Sequence, residues 1–390
     1  MSALHTPVSY RTPPLIRVGW GALAESLRGI LAEVGCARPL LVTDPVVGKL
    51  SSVTAALAAL GEQPPFAARF DAIPGEPTVR EVELGVATLN DGRCDGIVAL
   101  GGGAVLDTAK AIAMLAPNGG RLPDFMGTNK FARAGVPVIG VPTTAGTGSE
   151  VTRFTVITDA ETRVKMLITD DKMVCRAAIV DPSLLVEAPP RVTASAGVDA
   201  LTHAIEAYVS KRANVLADTL ALSAIRKLVW SLPVAFDRPT DVDARTASAV
   251  AALEAGLAFS NSSVCLVHGM SRPLGAVFGV PHGIANAMLL PTITRFSVEA
   301  AAERYADVAV ALGAQPSDTP LETATRGLRI VEDLCETLRI PTLGGYGIEL
   351  QALREIAPKM AQDALISGSP ANNPRVPTAE QIVALYLAAH

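Results

Sequence analysis

What this 390-residue sequence lacks narrows it first. It has five cysteines, at 36, 94, 175, 265 and 335, and no two are close in sequence. They do not read as a disulfide framework or a thiolate metal site, and they suit a reducing cytoplasm. No run of Lys or Arg stands out and the formal charge is -5. A nucleic-acid partner is therefore not expected, because neutralising phosphates takes a basic surface. Gly-Lys-Ser/Thr is missing, so there is no P-loop. The stretch Met1 to Arg17 carries prolines and polar residues but no apolar h-region, so no signal peptide is expected. Apolar stretches are broken by Gly, Pro or charge before 18 residues, so no membrane-spanning helix is expected either.

What is present is apolar and orderly. Hydrophobic residues make up 49% and charged residues 18%, enough for a large core. The length suggests two domains. Strand-like Pro39 to Asp44, Gly96 to Leu100 and Pro137 to Val141 alternate with helical patterns over Ala24 to Val34, Val79 to Leu89 and Val105 to Leu115. That alternation predicts a parallel sheet with helices on its faces. Phe154 to Ile157 and Val164 to Ile168 read as a hairpin. From about Pro190 the chain turns Ala/Leu-rich with helical periodicity. The predicted organisation is a Rossmann-like α/β domain over 1–188 and an all-helical domain over 189–390. Pro316 to Pro320 and Ser367 to Pro377 read as loops.

Of the five histidines, His5 and His390 sit at the chain ends, where order is least expected. Asp199 and His203 are four apart in a helical pattern and share one face. His268 lies in an apolar helical run, and His282 follows Pro281 at a helix start. Three imidazoles and a carboxylate make a plausible divalent-metal site with an open position. Spacing alone does not bring these segments together, and a histidine on an apolar helix is also an ordinary core residue.

Two polar loops follow predicted strands. Gly101, Gly102 and Gly103 open a helix that contains Asp107; such glycines let a backbone approach a pyrophosphate at a helix N-terminus. The spacing is not G-x-G-x-x-G, and a tight turn is the alternative. Thr143, Thr144, Thr147 and Ser149 lie in a second loop, and two such loops fit nucleotide binding better than either alone. Asp44, ending the first strand, can accept hydrogen bonds from ribose hydroxyls and repel a 2′-phosphate, or simply turn the chain before Pro45.

Taken together these segments resemble the iron-containing (group III) alcohol dehydrogenase family. The resemblance rests on Gly101-Gly102-Gly103 with Asp107 and Lys110, Pro142 through Thr152, Asp199 through Glu206, His268 through Gly275, and Pro281-His282-Gly283, in the family's order and approximate spacing. It implies an NAD-linked oxidoreductase moving a hydride between the nicotinamide and a small alcohol, aldehyde or hydroxy acid. It implies Asp199, His203, His268 and His282 as ligands of one divalent ion, iron by the family's habit and zinc as the alternative. It implies that the glycine segment and Asp107 hold the pyrophosphate and nicotinamide side. Thr143, Thr144, Thr147 and Ser149 would line the cofactor cleft, Lys165 would reach the nicotinamide ribose, and Asp44 would favour NAD over NADP. At least a homodimer is implied.

One position departs from the family pattern. Where many members carry a second histidine four residues after the third ligand, this chain has Arg272. Arginine stays protonated and is no ordinary proton carrier. It can instead bind an anionic substrate end, or pair with a carboxylate or the cofactor phosphates. The rival activities are a hydroxyacid-oxoacid transhydrogenase, a metal-free maleylacetate reductase, a zinc enzyme of the glycerol dehydrogenase or dehydroquinate synthase type, and a metal-dependent hydrolase.

Overall fold

The computed structural model describes residues 7–61, 64–73, 75–162 and 164–390. His5 lies outside them. Two units emerge: Tyr10–Pro189 with Pro239–Leu253, and Pro190–Arg238 with Glu254–His390.

The first unit is built on a six-stranded sheet of β1 (Leu15–Val18), β2 (Pro39–Val42), β3 (Ala68–Phe70), β4 (Gly96–Gly101), β6 (Val138–Pro142) and β9 (Ala177–Val180). Their order across the sheet is β1-β9-β6-β4-β2-β3, and every pairing is parallel. The central strands are buried along their whole length, as their unbroken apolar runs require. β6 starts one residue later than the sequence pattern suggests, although the Pro137 carbonyl still accepts from the Ile97 N–H at 2.8 Å. From β2 the chain moves outward to β3, then returns on the other side of β2 as β4. This reversal opens a crevice at the carboxyl ends of β2 and β4, where ligands of such sheets bind.

Helices α1 (Ala22–Glu33), α2 (Ser51–Ala58), α3 (Val79–Asp91) and α4 (Gly103–Asn118) connect these strands. α3 starts where its sequence pattern does, on a capping box between Thr78 and Glu81. α2 begins after Leu50, which has no side-chain acceptor; its first N–H groups are met by the Glu187 carboxylate, 3.2 Å from Ser51 N and 2.6 Å from Ser52 N. A smaller sheet, β5-β8-β7, contains the expected hairpin: β7 (Phe154–Asp159) pairs antiparallel with β8 (Val164–Thr169), and β5 (Gly127–Thr128) joins β8 in parallel.

The second unit is helical: α5 (Pro190–Val209), α6 (Val215–Asp237), α8 (Leu266–Phe278), α9 (His282–Ser297), α10 (Ala302–Ala311), α11 (Pro320–Thr337), α12 (Leu350–Ile366) and α13 (Ala379–Ala388), with the end of α7 (Val242–Asn261). Gly197 lets α5 and α6 pack closely, since a Cβ there would overlap Leu232. By length and composition alone α6 could cross a membrane, with a mean hydropathy of 1.3 over its best window. It carries Arg226 and Lys227 mid-helix and buries one stripe, Ala217, Ala221, Ala224, Ile225, Leu228 and Leu232, the pattern of a core-facing helix. His390 is also placed rather than frayed, its ring 2.8 Å from the Ile348 carbonyl. All five cysteines are buried free thiols.

Candidate metal centre and cofactor loops

α5 presents Asp199, His203 and Glu206 on one face, as spacings of three and four residues dictate. α8 brings His268 and α9 brings His282. Glycines beside two of these histidines permit close packing. Beside His282, a Cβ on Gly283 would sit 3.0 Å from the Ser195 carbonyl of α5. Beside His268, a Cβ on Gly269 would sit 2.7 Å from Pro370 in the short turn Ser369–Asn372.

The result is one cluster. Asp199, His203, His268 and His282 each offer a ligand atom, all within 4.8 Å of one another. From Asp199 Oδ1 the Nε2 atoms of His268, His282 and His203 lie at 3.6, 3.9 and 4.0 Å. Four donors at about 2.1 Å from one ion are about 3.4 Å apart in a tetrahedron, so the spacing is close to that of a ligand set. Asp199, His203 and His268 are buried. The ring of His203 is stacked between Phe259 and His268, with centroids at 4.1 and 4.5 Å.

Electrostatics keep a carboxylate charge and a free imidazole lone pair at this point. Burial pushes the Asp199 carboxyl up, but His203, His282 and His268 around it hold it below the usual carboxylate range. Burial, together with the positive charges of His268, His203 and Arg272, pushes His282 down against the pull of Asp199, so its ring nitrogen keeps its lone pair. Burial also opposes charge on His268, but Glu206 and Asp199 outweigh it and raise that ring.

Glu206 is a candidate functional residue that the sequence reading passed over. Its Oε2 accepts from the Cys265 N–H at 2.8 Å and lies 2.6 Å from His268 Nδ1, while its Oε1 accepts from the Val267 N–H at 2.6 Å. One buried carboxylate thus caps α8 and orients the His268 ring, leaving Nε2 turned to the cluster. The signal was available: Glu206 lies one helical turn beyond His203. Asn286, one turn after His282 on α9, was passed over as well. Its Nδ2 lies 2.6 Å from Asp199 Oδ1 and 3.1 Å from Nε2 of both His268 and His282. Arg272 donates from Nη1 to Ser369 Oγ at 2.9 Å, and burial lowers its basicity. Among the described residues no carboxylate pairs with it, but its charge reaches His282.

The cofactor candidates gather in the first unit at the carboxyl ends of β2, β4 and β6. Gly101 pairs with Pro142 in the sheet, and the Thr143 N–H donates to the Gly101 carbonyl at 3.1 Å, so the two loops leave side by side. Added Cβ atoms would stand 3.7 Å from Thr144 at Gly102 and 2.7 Å from Thr147 at Gly103. The α4 N-terminus carries no side-chain cap, so its N–H groups are open to an anion. The buried hydroxyls of Thr43 and Thr143 have no partner among the described residues. These features fit a dinucleotide.

Several charged residues around these loops also bond within the protein. Asp107 accepts from Ser149 Oγ and from the Val156 N–H at 2.7 Å, tying the second loop and β7 to α4. Lys110 is buried, donating to the Ser149 carbonyl at 3.0 Å and Thr152 Oγ1 at 3.1 Å. Lys165 pairs with Glu76 at 2.9 Å. Asp44 Oδ1 accepts from the N–H groups of Val46 and Val47, both at 2.8 Å, so the turn-forming reading of Asp44 holds alongside any ribose contact.

Comparison with known proteins places the chain. Residues 13–182 match the family described as iron-containing alcohol dehydrogenase, and 193–390 match the C-terminal domain of that family. An NAD-dependent methanol dehydrogenase of Bacillus methanolicus is 37% identical over 95% of this chain and 96% of its own. A long-chain-alcohol dehydrogenase of Geobacillus thermodenitrificans is 39% identical over 92% and 91%. A crystal structure of a 1,3-propanediol oxidoreductase superimposes with a TM-score of 0.94, at 34% identity, over 99% of this chain and 100% of the other. The chain belongs to the iron-containing alcohol dehydrogenase family, and it is an enzyme, an alcohol oxidoreductase.

Proposed function

We propose that this enzyme is a metal-dependent, NAD-linked alcohol dehydrogenase and aldehyde reductase acting on small primary alcohols or hydroxy acids. The observation that carries it is the convergence of Asp199, His203, His268 and His282 from three helices on one point. A divalent ion held by them supplies Lewis acidity to a substrate hydroxyl or carbonyl oxygen. All donors are nitrogen or oxygen, which suits iron(II) and equally zinc(II). The same cluster speaks against the metal-free maleylacetate reductase reading, and the paired polar loops speak against a hydrolase.

The protein's own residues do the rest. Glu206 fixes the His268 tautomer, and the Gly101–Gly103 backbone with the α4 N-terminus receives the pyrophosphate. Asp44 disfavours a 2′-phosphate and so favours NAD. Arg272 supplies a fixed positive charge near His282 and selects substrates with an anionic end. The five free thiols suit the cytoplasm. The outer edge of β1, with half-exposed Val18 at its end and Trp20 just beyond, suits pairing between two copies of the chain.

The test is a panel of alcohols, aldehydes and hydroxy acids followed by NADH absorbance, using protein stripped by a chelator and reloaded with Fe(II) or Zn(II). Turnover should vanish on stripping and return on reloading. Turnover unchanged by stripping overturns the proposal.

A further inference from the structure

Asn286 lies at the focus of the cluster, and its two amide ends are unequally served. The side chain is 0% exposed. Its Nδ2, with two hydrogens, faces three acceptors: Asp199 Oδ1 at 2.6 Å, and the Nε2 atoms of His268 and His282 at 3.1 Å each. Its Oδ1 is buried and has no hydrogen-bond partner among the described residues. The donor end is oversubscribed and the acceptor end unserved, an arrangement that burial makes costly.

Those three acceptors are also three of the four candidate ligand atoms. A cation at their focus uses the same lone pairs as the amide hydrogens, so the two cannot be served together. The N–H groups would then point at positive charge. A buried side chain packed on all sides has little room to swing away, but an asparagine amide can turn over about its last torsion. That torsion is broad and roughly twofold, and the oxygen and nitrogen ends have nearly the same shape.

We infer that Asn286 is a further donor group of this centre: its amide turns over as a divalent cation enters, withdrawing Nδ2 and presenting Oδ1 to the ion. The inference rests on the metal reading above and deepens it. The turnover satisfies the unserved oxygen, and a hard carbonyl oxygen suits the nitrogen and oxygen donors already there. In the other orientation, Nδ2 holds Asp199, His268 and His282 converged before the ion arrives. Asn286 thus positions the ligands and then joins them.

The experiment measures metal affinity directly, without turnover. The full chain is stripped and titrated with Zn(II) against a chromophoric chelator, and separately with Co(II), read by its visible absorption. Near-UV circular dichroism checks the fold of each variant. Asn286→Leu, close in shape but with no donor, and the smaller Asn286→Ala should each bind Zn(II) about tenfold more weakly, the low end for a group that supports a metal site. Both should also change the Co(II) spectrum. Asn286→Asp, which keeps an oxygen at that point, should bind at least as tightly as the unmodified chain. If Asn286→Leu and Asn286→Ala bind Zn(II) as tightly or more tightly, the amide only competes with the ion and the inference falls while the metal reading stands. If the unmodified chain binds neither ion, the metal reading falls and takes this inference with it.

Discussion

The candidate cofactor loops and the candidate metal centre are built in opposite ways. The loops are main-chain structures: Gly101, Gly102 and Gly103 are consecutive, Thr143 to Ser149 form one short run, and adjacent strands deliver them side by side. Their chemistry is that of backbone N–H groups and small hydroxyls. The centre is a side-chain structure, with contributors up to 87 residues apart brought together by helix packing. Main-chain sites are written locally and damaged by adding volume. Side-chain sites depend on long-range packing and are damaged by removing single atoms.

The comparison can be broken most directly at His268. His268→Ala should abolish most metal binding and lower kcat/KM by about 10³, roughly 4 kcal/mol of lost electrostatic stabilisation, while NAD affinity by fluorescence titration stays unchanged. Loss of both together would show that the two regions are not independent. Glu206→Gln comes next. It leaves the ring in place but sets an NH₂ group against a donor that now meets a carboxylate oxygen. Metal affinity should fall about 10- to 100-fold by chelator competition, again with NAD binding unaltered.

Arg272 sharpens the comparison on the substrate side. Arg272→Ala should raise KM about tenfold for a four-carbon hydroxy acid, the value of one charge-assisted hydrogen bond, and change it little for a neutral alcohol of similar size. Equal losses would remove the anion-selecting role. Gly103→Ala tests the loops. The new Cβ, 2.7 Å from Thr147, should displace the second loop and weaken NAD by about 1 kcal/mol, roughly fivefold, with metal content intact.

The smallest effect concerns stability. Hydrogen bonds from Ser52 and Ser51 hold the Glu187 carboxyl down at about 2, against an ordinary 4.5. A depressed folded value means that the stabilisation is fully present above 4.5 and is lost as pH falls toward 2. Glu187→Gln should therefore lower Tm slightly at pH 6, and the gap between the two proteins should close on acidification. A gap that widened below pH 4 would refute this account of the α2 start.

Parts of both regions were legible before any coordinates. The buried strands announce themselves as unbroken apolar runs, and Asp199 and His203 share a helix face at any four-residue spacing. Glu206 and Asn286 were equally within reach, one turn beyond His203 and His282, but a carboxylate and an amide on buried helices gave no chemical reason to stop there. Motif alone does not show the internal bonds of the charged residues near the loops: Asp107 on α4 accepts from Ser149 and Val156, Lys110 on α4 donates to Thr152, and Lys165 on β8 pairs with Glu76.

By itself, then, the sequence determined the class of fold, the two polar loops and the list of candidate ligands. These depend on periodicity and residue type over a few turns or a single loop. Only the tertiary structure decided which ligand atoms converge, that Glu206 turns the His268 ring toward them, that Asn286 stands at their focus, and that Glu187 caps a helix 136 residues away. The physical reason is range. Local patterns follow from backbone geometry, which every segment carries within itself. Convergence depends on how closely helices pack, and for α9 against α5 that turns on the missing Cβ atom at Gly283, whose effect appears only when a second element lies against it.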